Sequence, residues 1–281
     1  MKLRQRIAIG LLKRKIKFYA LFSKKKAAKV AFKAFCTPDA PPPKISPIIY
    51  QQSKRVKFML DGKKIRGHRW NHPQDNKVLI LHGFSSAAYK FDKYVISLIN
   101  KGYEVIAFDA PAHGRSQGRT TNAVEYKEMI KKVIYKFGPI NKFLAHSFGG
   151  IALSLALEEM EHDENTRVAL IAPVTETKTS IDIALKTLHI RDKKIRKEID
   201  TIIHELSGNP TEWFSIRRAL LNISAKILWV HDEDDHVTPL RDVLKVQEKH
   251  FPNVEFVFTK GLGHHNIYTD NVIKSNVTEF L

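Results

Sequence analysis

The feature that most constrains this chain is a recurrent pair: a short apolar run, then a helical pattern. KVLILH (Lys77–His82), YEVIAFD (Tyr103–Asp109), RVALIA (Arg167–Ala172) and KILWVH (Lys226–His231) are nearly continuous apolar runs, and Lys142–His146 is a further short strand. A strand with one wet face alternates polar and apolar residues. These do not, as expected of strands buried on both faces. Between and after them come helical segments at Phe91–Lys101, Asn122–Phe137 (capped by Asn122), Gly149–Glu161, Pro239–His250 and Asp270–Leu281. One more strand, Val254–Thr259, precedes the closing helix. This alternation argues for a parallel sheet covered by helices on both sides. Arg55–Leu60 and Lys63–Trp70 read as an antiparallel hairpin turning at Asp61-Gly62.

Charge divides the chain unevenly. Lys and Arg number 47 against 29 Asp and Glu, a net charge of +18. Residues 1–36 hold twelve of the basic residues and no acid, which leaves 35 basic against 29 acidic residues in the remainder. Leu3, Ile7, Leu11, Phe18 and Phe22 fall on one helical stripe, with Lys2, Arg6, Lys13 and Lys17 opposite it. Such a helix can lie on an anionic membrane surface, or pack on the body with its lysines in solvent. A basic patch is also a footprint for nucleic acid, but no nucleic-acid motif accompanies it. Five prolines in residues 37–47 mark a stiff linker. No run approaches the ~18–20 apolar residues of a membrane span. The single cysteine, Cys36, excludes an intramolecular disulfide and points to the cytoplasm, with attachment to the inner face of the membrane as the option its basic helix leaves open.

The expected organisation is therefore a basic helical extension at 1–36, a proline-rich linker at 37–49 and an α/β domain at 50–281. Residues 174–222 interrupt the strand-helix rhythm and read as a helical insert.

Ligands of open parallel sheets bind at the carboxyl ends of the strands. The residues found there are His82-Gly83-Phe84, Asp109-Ala110-Pro111, Ser147, Asp235 and His264. Ser147 lies between a strand and a helix, with the small residues Ala145, Gly149 and Gly150 around it. A nucleophile on such a turn needs small neighbours so that strand and helix can approach. The turn also sets Ser147 at a helix amino end, where developing negative charge is favoured. A serine that merely caps the helix would sit in the same place. The acids Asp232, Glu233, Asp234 and Asp235 follow the next strand but one, and Gly261-Leu262-Gly263-His264-His265 follows the last. No compact metal-ligand spacing accompanies them.

From about residue 50 onward the chain resembles the α/β-hydrolase fold superfamily of serine esterases and lipases. The resemblance rests on His82-Gly83-Phe84, Asp109-Ala110-Pro111-Ala112-His113-Gly114-Arg115-Ser116, the turn at Ser147, the stretch from Asp235 to Pro239, and Gly261-Leu262-Gly263-His264. Ala145 departs from the family's usual glycine but is small enough to keep the turn. The resemblance implies Ser147 as nucleophile. It implies His264, which follows glycine, as base, with His265 as the fallback. It implies Asp235, four positions before Pro239, as the orienting acid, Glu176 being a weaker substitute. Asp232 and Asp234 are then expected to face solvent or cap turns. The backbone N–H groups of Phe84 and Phe148 would form the oxyanion hole, and residues 174–222 a helical lid. The implied activity is carboxylic-ester hydrolysis on a small acyl-ester or lipid substrate, with neither metal nor organic cofactor. A thioesterase or a lysophospholipid-type lipase would use the same residues. A non-catalytic, membrane-tethered protein on this fold is the rival of another class.

Overall fold

The computed structural model describes residues 3–281, with side chains from Ile7 onward. Lys2 of the basic segment, and the side chains of Leu3, Arg4 and Arg6, lie outside the described ones. The chain begins with two helices, α1 (Leu3–Phe22) and α2 (Lys24–Phe35), then a single turn, α3 (Ile48–Gln51). The hairpin β1 (Lys54–Leu60) and β2 (Lys63–Trp70) follows. Strands and helices then alternate through β3 (Lys77–Leu81), α4 (Asp92–Asn100), β4 (Glu104–Phe108), α5 (Ala123–Phe137), β5 (Lys142–His146), α6 (Phe148–Leu157) and β6 (Arg167–Ile171). Helices α7 (Thr177–Thr187), α8 (Lys193–Ser207) and α9 (Ile216–Ala219) precede β7 (Lys226–Asp232). The chain closes with α10 (Leu240–Gln247), β8 (Val254–Thr259), α11 (Gly263–Asn266) and α12 (Asn271–Phe280).

The eight strands form one sheet in the order β1-β2-β4-β3-β5-β6-β7-β8. β2 runs antiparallel to β1 and to β4, and every pairing from β4 to β8 is parallel. The sequence pattern accounts for this split. In β1 and β2 exposed and buried residues are interspersed, whereas β4 is buried throughout and β3, β5 and β6 from their second residue on. One face of the sheet packs Val78, Ile80, Leu144 and Val230 against Tyr94 and Leu98 of α4 and Val277 of α12. Parallel strands put their carboxyl ends on one edge, so residues after β3, β5, β7 and β8 become neighbours.

By their contacts, the residues form two compact units. One comprises 38–175 and 216–281, which is the sheet with its helices. Its proline-rich start is bonded to this unit at Asp39 and Ala40, and Tyr50 anchors its far end. Asp39 N–H donates to Ser85 Oγ at 3.0 Å, Gly114 N–H donates to the Ala40 carbonyl at 2.9 Å, and the buried Tyr50 hydroxyl donates to the Ala88 carbonyl.

The other unit comprises 1–37 and 176–215. The helical extension read from the sequence over 1–36 is broken at Ser23, just past the apolar stripe, where Ser23 Oγ accepts the Lys26 N–H at 3.2 Å and starts α2 afresh. Small residues Ala27, Ala28 and Ala31 are buried and let α2 pack on α8. In α8 the buried Ile195, Ile199, Ile202 and Ile203 recur at helical spacing along one face. Lys24 pairs with Asp192 at 2.8 Å and Lys25 with Glu205 at 3.5 Å. A cavity of about 220 Å³ in this unit is lined by Leu12, Phe32, Phe35, Ile181, Leu185 and Ile199, among others. The sequence grouping followed chain continuity, with 1–36 apart from 50–281. The contacts instead join residues 1–37 to 176–215 and leave 174–175 and 216–222 with the sheet. That packing is between segments remote in sequence, which no local pattern encodes.

Candidate active site

Ser147 follows β5, near the centre of the sheet, with φ 54° and ψ −119°. A positive φ on a residue with a Cβ is strained and persists only where the surroundings enforce it. Here three backbone bonds do so: Ser147 N–H to Ile171 O at 3.0 Å, Gly150 N–H to Ser147 O at 2.9 Å and Val174 N–H to Ser147 O at 3.1 Å. The turn also needs bare backbone. A Cβ on Gly149 would stand 2.8 Å from the Leu81 and His82 carbonyl oxygens, and one on Gly150 would stand 2.6 Å from Pro173. Ala145 is buried and the turn forms with it in place. Ser147 thus lies at the amino end of α6, and its side chain makes no cap bond to the helix.

The Ser147 hydroxyl instead meets His264, with Oγ 2.9 Å from Nε2. The opposite ring nitrogen, Nδ1, is 2.7 Å from Asp235 Oδ2. These three residues follow β5, β8 and β7, and all are buried. Asp235 also accepts the Val237 and Thr238 N–H on Oδ1, both at 2.8 Å, and the Thr238 hydroxyl on Oδ2 at 2.7 Å. Burial would raise the pKa of this carboxyl. The hydrogen bond and charge of His264 and the bonds from Thr238 outweigh it, and the value falls to about 2. An ionised Asp235 requires the proton of His264 to sit on Nδ1, which leaves Nε2 as the acceptor facing Ser147.

His264 itself rides on the single turn α11. The carboxylate of Asp232 holds that turn: Oδ1 accepts the Gly263 N–H at 2.9 Å and Oδ2 the Leu262 N–H at 3.0 Å. The same group accepts the Asp234 N–H at 3.0 Å and the Thr259 hydroxyl at 2.7 Å. Asp232 is fully buried and does not face solvent; it caps its local turn through the Asp234 N–H, as expected, and in addition holds α11. Burial would raise its pKa, but the Thr259 and backbone bonds lower it further than burial lifts it. Asp234 does accept a backbone bond, from Gly261 N–H at 3.1 Å. His146, next to the serine, places Nε2 3.2 Å from the His264 carbonyl, while its Nδ1 has no partner among the described residues. Burial pushes its pKa down, so the ring is neutral and Nε2 donates. His265 is exposed beside His264 and outside this network, and Glu176 accepts a bond from Ser215 Oγ at 2.9 Å.

Two further histidines fix the loops around the serine. His82 donates from Nδ1 to Gly83 O (2.8 Å) and accepts the Ala110 N–H on Nε2 (2.9 Å). His113 donates from Nδ1 to Pro111 O (2.9 Å) and accepts the Ser85 N–H on Nε2 (3.1 Å). Phe84 and Phe148 stack edge to face with centroids 5.6 Å apart. Among the described residues, neither of their backbone N–H groups finds an acceptor. The sequence motifs contain His82 and His113, but nothing local shows that their Nε2 atoms hold backbone.

Comparison with known proteins matches the chain to a family. The family model described as serine aminopeptidase, S33 (Hydrolase_4) matches residues 72–215, just over half of the chain. The chain belongs to this family. The S33-family chain is 33% identical to the uncharacterized hydrolase YugF of Bacillus subtilis (strain 168) over 110 residues, which span 37% of this chain and 40% of that protein. It is 24% identical to the putative esterase/lipase 2 of Mycoplasma pneumoniae over 244 residues, 75% of this chain and 90% of that one. Among solved structures, the Pyrococcus furiosus esterase Pf2001 superposes with a TM-score of 0.64 at 22% identity, covering 86% of this chain and 98% of its own. A thioesterase domain from the curacin biosynthetic pathway gives 0.57 at 17% identity, covering 80% and 98%. At such identities the structural likeness shows the fold. The protein is a hydrolase of the α/β-hydrolase fold.

Proposed function

We propose that this S33-family hydrolase cleaves carboxylic esters through an acyl-enzyme intermediate on Ser147. The observation that carries the reading is the continuous chain from Ser147 Oγ through His264 to Asp235, at 2.9 and 2.7 Å. In the first half-reaction Ser147 Oγ attacks the acyl carbon as His264 Nε2 takes its proton. The tetrahedral oxyanion receives the Phe84 and Phe148 N–H groups, at a helix amino end that favours negative charge. Collapse expels the alkoxide, which leaves as the alcohol with the proton from His264. In the second half, water gives its proton to His264, its oxygen attacks the acyl-serine, and Ser147 Oγ departs with that proton, releasing the carboxylic acid. Asp235 stays ionised throughout and stabilises the imidazolium.

The chemistry asks only for an activated acyl carbonyl, so thioesters and lysophospholipid esters fall within the same mechanism. A fluorophosphonate probe tests the core of the proposal. It should label the protein, and Ser147→Ala should abolish the labelling. Turnover of p-nitrophenyl esters should fall by about 10⁴–10⁶ in Ser147→Ala and in His264→Ala. Undiminished turnover in Ser147→Ala would discard the mechanism. A panel of oxygen esters and thioesters of varied acyl length then ranks the substrates.

A further inference from the structure

Helix α1 is apolar on two sides. Ile16 is buried, and it stands two and a half turns from Ile7, on the opposite face of the helix. On the Ile7 side, Ile7, Leu11, Phe18, Leu21 and Phe22 are 55–80% exposed. Exposed apolar residues scattered singly are ordinary. Five large ones share one face of the helix, in two groups with Arg14 between Leu11 and Phe18, and an apolar face of this size marks an interaction site.

The borders of this row are cationic. Arg14, Lys15 and Lys17 are exposed and Lys13 is half-buried, and the first acidic residue of the chain is Asp39. Among the described residues, none of these four cations forms an ion pair, whereas Lys24 and Lys25 on α2 pair with Asp192 and Glu205. The sequence reading set the lysines opposite the apolar stripe. The burial of Ile16 places protein there instead; Lys15 and Lys17 flank the exposed row, and Arg14 sits within it.

We propose that α1 lies flat on an anionic bilayer, with its exposed row inserted among the acyl chains and its flanking cations at the headgroups. Lysine and arginine can reach the headgroups from the edges of an inserted apolar face, because their aliphatic stems lie along that face. Among the described residues, no helix is long and apolar enough to cross a membrane, so the contact is in the plane of the surface. Other occupants fit less well. A second copy of α1 would cover the apolar row but bring two unpaired cationic borders together. A nucleic acid would neutralise the borders and leave the phenyl and aliphatic row in water.

The test is co-sedimentation of the full chain with phosphatidylcholine vesicles, with and without phosphatidylglycerol, at about 0.15 M salt. Phosphatidylglycerol should raise vesicle binding at least about tenfold, each nearby cation adding to the attraction. The combined substitution Leu11→Gln, Phe18→Gln, Leu21→Gln and Phe22→Gln should lower it by at least about tenfold with every charge retained. Unaltered binding in that variant, or no binding by the parent chain, overturns the proposal. So does a dimer that the same substitutions split while vesicles leave the parent chain in solution. A direct measurement guards against misfolding of the variant. An environment-sensitive dye on Phe22→Cys should shift to the blue with the anionic vesicles, while the same dye on Lys29→Cys, exposed on α2, should not. No shift at position 22 also overturns it.

Discussion

Four donors converge on the Asp235 carboxylate: two backbone N–H groups on Oδ1, and the Thr238 hydroxyl and His264 Nδ1 on Oδ2. They keep an anion where burial would favour the neutral acid, and they hold its pKa at about 2. Because that folded value lies below the ordinary ~3.9, the stabilisation is complete above about pH 4 and is lost as pH falls through 2. Asp235→Asn keeps the shape but removes the charge and favours the wrong tautomer of His264. Turnover of a soluble ester should fall by about 10²–10⁴ in this variant, with the fold intact by circular dichroism. Asp232 acts one step further out, through the backbone that carries His264. An asparagine there offers one acceptor oxygen and sets an NH₂ against the Leu262 or Gly263 N–H. Asp232→Asn should therefore lower kcat more than it changes KM, and cost about 1–3 kcal/mol in stability by urea unfolding. His265→Ala should leave kcat/KM within about twofold, since His265 is exposed and outside the network. An inactive His265→Ala beside an active His264→Ala would reverse the assignment of the base. Ser147, Asp235 and His264 were legible because a parallel sheet gathers whatever follows its strands. Asp232 was not, because its Gly263 and Leu262 partners lie across a strand crossover that sequence spacing does not reveal.

The loops that follow β3 and β4 are joined by neutral histidines. His82 and His113 each accept a backbone N–H on Nε2, so protonation there would set N–H against N–H. Burial is the larger cause of their shifts, and it lowers His82 to about 4 and, with the neighbouring His82, lowers His113 to about 3. In the unfolded chain both titrate near the ordinary ~6.5, so the unfolded state binds more protons between that pH and the folded values. Stability from these two groups is thus full above about pH 6.5. It declines by about 1.4 kcal/mol per pH unit for each histidine as pH falls toward 4. Urea midpoints measured from pH 7 to 4.5 should show this slope, and His82→Gln should flatten it by about one proton. An unchanged slope in that variant would assign the acid sensitivity elsewhere. The elements themselves were easier to read than their joints. β3 through β8 fall within a residue or two of the strands read from the sequence, β3 to β7 because buried parallel strands are apolar runs. The break between α1 and α2 is hidden because Ser23 sits inside a basic, acid-free segment that runs on through Lys24, Lys25 and Lys26.

At the scale of the whole chain, sequence texture separates a basic amino-terminal segment from a nearly balanced remainder, and that separation is electrostatic. The contacts obey a different rule. Residues 1–37 and 176–215 share one compact unit, in which the buried alanines of α2 meet α8 and the cavity walls come from both segments. The two segments are separated by more than 130 residues, which is why reading along the chain could place each one but not pair them. The pairing makes a strong prediction about deletion. A chain that starts at Pro38 would lose α1 and α2 together, and Ile181, Leu185 and Ile199 would lose the Leu12, Phe32 and Phe35 side of their cavity. Exposing each such side chain costs about 1.5–3 kcal/mol, enough in sum to loosen a small helical unit. The amides of α8 should then exchange with deuterium at least about tenfold faster, and the dye ANS should bind where it does not bind the full chain. The sheet unit, to which Ser147, Asp235 and His264 all belong, should keep its protection. Turnover of a small soluble ester separates the two effects. Its retention with fast exchange in α8 is the expected result, whereas equal protection of α8 in both chains would show that the insert folds without its amino-terminal partner.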